Sequence, residues 1–220
     1  MYITLIFLGI IMATVITWLL RQTFNTQPWI SEAADNEVSG SSMDTNSKAV
    51  ALTVFLAVAT SIFALFISAY TIRMDEPDWR PLAEPTLLWT NTFMLILASV
   101  AYHWTRNAAV KGLDSRVKSG LTVSGAFTVL FLIGQVVAWQ QLNAAGYYLD
   151  LNPANAFFYL LTAIHGLHML GGLWVWARST MKVWTGADSD SVRLSIELCT
   201  VYWHFLLLVW IVLFGMLLST

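Results

Sequence analysis

Charge is absent from six long stretches of this 220-residue chain: 1–20, 49–72, 85–105, 119–149, 151–177 and 198–220. Each is about as long as, or longer than, the roughly 20 residues that carry a helix across the hydrocarbon of a bilayer. In that medium a segment must satisfy its own backbone hydrogen bonds, which a helix does internally. The composition agrees, with 57% hydrophobic and 11% charged residues and a mean hydropathy of +0.65. A soluble domain carries about 25% charged residues. The expected fold is an all-α, polytopic integral membrane helix bundle with six transmembrane helices. Their expected positions are about 2–20, 49–71, 86–104, 120–142, 156–177 and 195–218.

The first run, MYITLIFLGI onward, has no basic start and no small-residue cleavage pattern before Arg21, so it reads as a retained helix rather than a secretion signal. Residues 21–48 are rich in Ser, Asn and acidic groups and read as a polar loop. The expected organisation is therefore an extra N-terminal span (1–20), a polar cytoplasmic loop (21–48) and a five-helix domain (49–220). Lys and Arg concentrate in 105–120 (Arg106, Lys111, Arg116, Lys118) and 178–194 (Arg178, Lys182, Arg193), and are missing from 142–156. Short basic loops stay on the cytoplasmic side, so the C-terminus is expected outside. Arg73 and Arg80 in 72–85 run against that rule. A single cysteine, Cys199, excludes an internal disulfide or thiolate cluster within the chain.

The span FFYLLTAIHGLHMLGGLWVW (157–176) holds two of the four histidines and no charge. Polar groups in a spanning helix face other helices rather than lipid. His165 and His168 lie about 60° apart around that helix, and Gly172, two turns after His165, opens the same side to close approach. At about 1.5 Å per residue, His168 and His204 are expected at similar depth near the midplane, with Glu197 closer to the inner surface. A metal site would want three or four converging ligands, and a proton pathway a chain of ionisable groups. An inter-helix polar cluster joining the fifth span to the sixth suits these residues best. Gln135, Trp139 and Asn91 read as further inter-helix partners. No phosphate loop, Cys-x-x-Cys, nucleophile–base pair or carboxylate pair occurs, so no catalytic, metal-binding or cofactor-binding residues are expected.

The segment around His165, Gly166 and His168, then Glu197 followed by Trp203, His204, Phe205 and Trp210, resembles subunit III of the haem–copper cytochrome c and quinol oxidases. Upstream, Pro85, Leu88, Asn91 and Thr92 resemble that family's Pro–Leu–x–Asn–Thr helix, and the resemblance covers about 49–220. It implies a non-catalytic, cofactor-free accessory subunit in aerobic electron transport, with haem and copper held by partner subunits. It also implies packing against oxidase subunit I and subunit II, structural phospholipid, support of stability and proton uptake, and a bacterial inner-membrane location. A subunit III-like partner of a nitric oxide reductase, or a small six-helix transporter, are the alternatives. Ala59 and Leu207 stand where family members often carry Glu and Asp, which puts a carboxylate role there in doubt.

Overall fold

The computed structural model describes residue 17 and residues 41–82, 85–186 and 189–219. Among them are five helices: α1 (Ser41–Arg73), α2 (Leu87–Val110), α3 (Asp114–Ala144), α4 (Pro153–Trp184) and α5 (Ser189–Leu218). Apart from Thr17, the expected first span and residues 21–40 of the expected loop lie outside the described residues. Helix α1 begins at Ser41, ahead of the expected boundary at 49.

Six spans are expected, but among the described residues four helices are long and apolar enough to cross a membrane: Ser47–Arg73 within α1, α3, α4, and Ser191–Leu218 within α5. Helix α2 is not one of them. Its 24 residues include Asn91, His103, Arg106 and Asn107, which dilute its apolar character.

Each of the five helices runs past at least one end of its charge-free stretch, because backbone hydrogen bonding does not stop where hydrocarbon does. The expected basic loop at 105–120 shrinks to the turn Lys111–Leu113. Gly112 takes a φ of +65° there, a conformation that costs a side-chain-bearing residue but not glycine. The Leu113 amide then donates back to the Ala108 carbonyl at 3.0 Å, closing α2. Helix α4 starts on a Pro at its first position, with the Asn152 side chain accepting from the Ala154 amide at 3.2 Å. That pairing of cap and proline is what a helix start favours.

By internal contacts the chain divides into Met1–Ile62 and Phe63–Thr220. In the first unit the described helix bonds its own hydroxyls back to carbonyls one turn earlier, Thr53 to Ala49 and Thr60 to Leu56. In the second unit α2 packs on α3 and α5, and α4 packs on the same two, so the four helices close a ring. Short connections make neighbours antiparallel. The interior holds Leu88, Leu95, Tyr102, Phe131, Phe158, Met169, Trp203 and Trp210 together with Ser124, Thr128 and Thr200. The outside is apolar as well, with Val129, Ile133, Leu160, Leu167 and Trp174 exposed. Soluble monomers rarely expose large contiguous apolar surface, and an outside of this kind suits lipid as the solvent.

Candidate functional site: a tryptophan-stitched polar interior

Four tryptophans tie the ring together, each donating its indole N–H across a helix boundary. Trp210 of α5 donates to Thr92 of α2 at 2.9 Å. Trp139 of α3 donates to Thr162 of α4 at 3.0 Å, and Trp176 of α4 to the Leu121 carbonyl of α3 at 3.0 Å. Trp203 of α5 reaches Thr128 of α3 at 3.1 Å. An indole combines a large apolar body with one donor that must be satisfied when buried, so each bond fixes both position and rotation.

Trp203 is the centre of this arrangement. It is 2% exposed, and its ring meets Tyr102 edge-on at 5.1 Å between centroids. It reaches Thr128 because Gly172 of α4 has no side chain: a Cβ there would overlap the Trp203 and Tyr202 rings. Tyr202 secures the same crossing by donating to the His168 carbonyl at 2.8 Å. Gly134 plays the equivalent part for Asn91, whose buried side chain occupies the space a Cβ would take.

The histidines do not form one cluster. His165 is 1% exposed, closed in by the rings of Phe63, Phe131 and Trp210, and neither ring nitrogen has a hydrogen-bond partner among the described residues. The Nδ1–H of His168 donates to the Ile164 carbonyl at 2.8 Å, and its ring faces Phe63 at 5.3 Å. His204 turns the other way, toward α2. Its Nδ1 lies 2.5 Å from Ser99 Oγ, and its ring is 6.0 Å from that of His103. The polar cluster expected to join the fifth span to the sixth through these histidines is not formed, because the His168 ring bonds within α4 and the His204 ring bonds to α2.

Glu197 accepts a hydrogen bond from Arg106 of α2 at 2.6 Å, with both side chains partly exposed. Gly166 lies at a surface groove, with nothing within 4 Å of where its Cβ would stand. So the eight singled-out residues fall into separate places. Trp203 and Trp210 are stitches, Asn91 and His165 are buried, and His204 and Glu197 each bridge to α2. Sequence reasoning missed Thr128, Thr162, Ser99 and Arg106. A small hydroxyl inside a charge-free run is the only local sign of the first three, and Arg106 falls in the expected basic loop at 105–120 but belongs to α2.

Among the described residues no three His, Cys, Asp or Glu side chains are grouped to hold a metal ion.

Apolar on the outside and joined inside by helix-to-helix hydrogen bonds, this is an integral membrane helix bundle. Residues 49–218 match the family model for cytochrome c oxidase subunit III. The cytochrome c oxidase subunit 3 of Synechocystis sp. is 31% identical over 171 residues, 73% of this chain and 70% of that protein. That of Thermostichus vulcanus is 30% identical over 185 residues, 77% and 86%. The cytochrome bo(3) ubiquinol oxidase subunit 3 of Buchnera aphidicola is 26% identical over 161 residues, 73% and 77%. The chain belongs to the cytochrome c oxidase subunit III family and is a subunit III of a haem–copper oxidase.

Proposed function

We propose that this chain is the cofactor-free accessory subunit of a respiratory oxidase, packing against subunit I and also touching subunit II, while those subunits hold the haem and copper. The family match across 49–218 carries the reading. Its work in the complex is mechanical and environmental: to support the stability of subunit I and its proton uptake, and to hold structural phospholipid. The interior suits that work. Tryptophan stitches and glycine notches make a stiff ring, and the His165, His168, Glu197 and His204 side chains join elements rather than converge on a reacting group.

Residues 49–220 form the subunit III-like domain in this reading, with 1–20 as an extra span and 21–48 on the cytoplasmic side of a bacterial inner membrane. Helix α2 crosses as well. Its polar Asn91, Ser99 and Thr105 are buried in the ring, while Trp89, Phe93 and Val100 face outward. The basic ends of α2, α3 and α4 then lie inside and the C-terminus outside. Cysteines placed at Lys111 and Tyr148 in a chain lacking Cys199 test this, because only the latter should react with an impermeant maleimide added to intact spheroplasts.

The functional test is gentle purification of the tagged chain from its native membrane, followed by a visible spectrum and gas-electrode assays. Haem and oxygen consumption should co-purify. A preparation without haem, or one that consumes nitric oxide but not oxygen, would overturn the proposal.

A further inference from the structure

Two bonds between α2 and α5 have the same spacing on both helices. Ser99 Oγ meets His204 Nδ1 at 2.5 Å, and Arg106 donates to Glu197 at 2.6 Å. On each helix the two residues lie seven apart, two turns along one side. The strip they mark also holds His103, one turn after Ser99. His103 is exposed, and its imidazole forms no hydrogen bond or ion pair among the described residues. Its ring lies 6.0 Å from that of the half-buried His204. The Arg106 and Glu197 side chains are 42% and 37% exposed.

Depth decides what can meet these groups. His204 stands thirteen residues after Ser191 and fourteen before Leu218, the two ends of the apolar span in α5. It therefore lies near the midplane, roughly 15 Å from either edge of a core about 30 Å thick. Ser99 is held at the same level by its bond. Each short connection reverses the chain, so α2 runs against α5, and His103 falls roughly 6 Å and Arg106 roughly 10 Å toward the inner side. Arg106 is then within roughly 5 Å of the boundary, where a long side chain snorkels to the headgroups. An imidazole has no such reach, and His103 is left roughly 9 Å inside the hydrocarbon. An unpaired polar ring facing lipid tails at that depth is costly.

We infer that this face of α2 and α5 seats a transmembrane helix of another subunit of the same complex, with an Asp or Glu side chain that accepts from His103. The inference rests on the oxidase-subunit reading, in which α2 crosses the membrane. Charge selects the chemistry. The strip presents Arg106 and two imidazoles but one carboxylate, Glu197, which Arg106 already holds. A neutral imidazole keeps one N–H in either tautomer, and the Nδ1 of His204 is engaged by Ser99, so an added carboxylate supplies the missing acceptor. A second copy of this chain fits less well, because it would set imidazole on imidazole and bring no carboxylate that its own Arg106 does not hold. Apolar side chains frame the strip for a crossing helix. Ile96 and Val100 stand one turn before Ser99 and His103, and Ile211 two turns after His204, at 38%, 60% and 48% exposed.

The test uses the tagged chain within its purified haem-containing complex. Val100→p-benzoylphenylalanine places a photoprobe beside His103, and Val129→p-benzoylphenylalanine is the control on an exposed face of α3. Illumination followed by peptide mass spectrometry should join position 100 to one apolar segment of a different subunit, with an Asp or Glu within a turn of the crosslink. In parallel, His103→Leu should lower haem recovered per tagged chain about threefold, as for one inter-helix bond in a membrane. His103→Gln, which keeps a donor, should restore most of it. Crosslinks at 100 to lipid alone, to a second copy of this chain or to a segment without an acidic residue would overturn the inference, as would full haem recovery with His103→Leu. Each of these leaves the family reading intact. A wild-type preparation without haem is a different result, and defeats the subunit reading on which the inference stands.

Discussion

Adjacent glycines in α4 show how finely the interior is specified at the level of single residues. At Gly172 a Cβ would overlap the Trp203 ring, whose position Thr128 and Tyr102 hold. At Gly171 there is nothing within 4 Å. Gly172→Ala should therefore destabilise the chain by about 1–3 kcal/mol, the usual cost of overpacking. Gly171→Ala should gain up to about 1 kcal/mol from helix propensity. Thermal melts of the two variants in the same detergent should move in opposite directions. His165 offers a second contrast. Its two unpartnered nitrogens cost about 1–3 kcal/mol, against about 0.5–1.5 kcal/mol from its ring contacts. His165→Leu should raise stability by about 1 kcal/mol, and a fall of that size would show that a nitrogen is bonded after all. The Gly172 side was legible in the sequence, since its spacing from His165 marks one face of α4. That Trp203 fills the space was not, because nothing local says which side chain of a helix 31 residues later will arrive there.

At the level of elements, charge-free runs located the described helices but misplaced their ends. The run ends where charge begins, whereas the helix ends where a turn is encoded, as at Gly112 and at Asn152–Pro153. Height along a helix can be counted from sequence at about 1.5 Å per residue, but rotation about its axis is set by packing. For that reason His168 and His204, expected at similar depth, face different neighbours. The link between α1 and α2 carries a testable ion pair. Asp78 accepts from Arg73 at 2.5 Å, and this hydrogen bond holds its carboxyl below the usual carboxylate range. A carboxylate with a lowered folded value contributes stability that is present above its unfolded pKa of about 4 and lost as pH falls through the folded value. Both groups are open to solvent, so the contribution is small and screened by salt. The melting difference between wild type and Asp78→Asn should be constant from pH 8 to 5 and close toward zero below about pH 3. It should also shrink in 1 M salt. A difference that instead grows on acidification would exclude the pair as its source.

For the molecule as a whole, the question is which part of the chain holds the ring together. The inter-helix hydrogen bonds described above join residues between Thr92 and Trp210: Trp210 to Thr92, Arg106 to Glu197, Trp203 to Thr128, Trp139 to Thr162, Trp176 to the Leu121 carbonyl, Ser99 with His204, and Tyr202 to the His168 carbonyl. The aromatic contacts at its α1 side begin at Phe63, and those of Tyr70 with Trp79 and Phe157 close that end at 4.9 and 5.5 Å. The family match likewise begins at residue 49. A chain reduced to 49–220 therefore keeps every one of these contacts, whereas one reduced to 87–220 loses the Phe63 and Tyr70 rings against α4. Expressed in the same membrane and extracted in the same detergent, 49–220 should melt within a few degrees of the full chain. The 87–220 fragment should melt well below it, because His165 and Phe157 lose the Phe63 and Tyr70 rings that cover them. Equal losses in both fragments would mean that the first 48 residues take part in the ring's stability, and that the domain division at 49 is drawn in the wrong place.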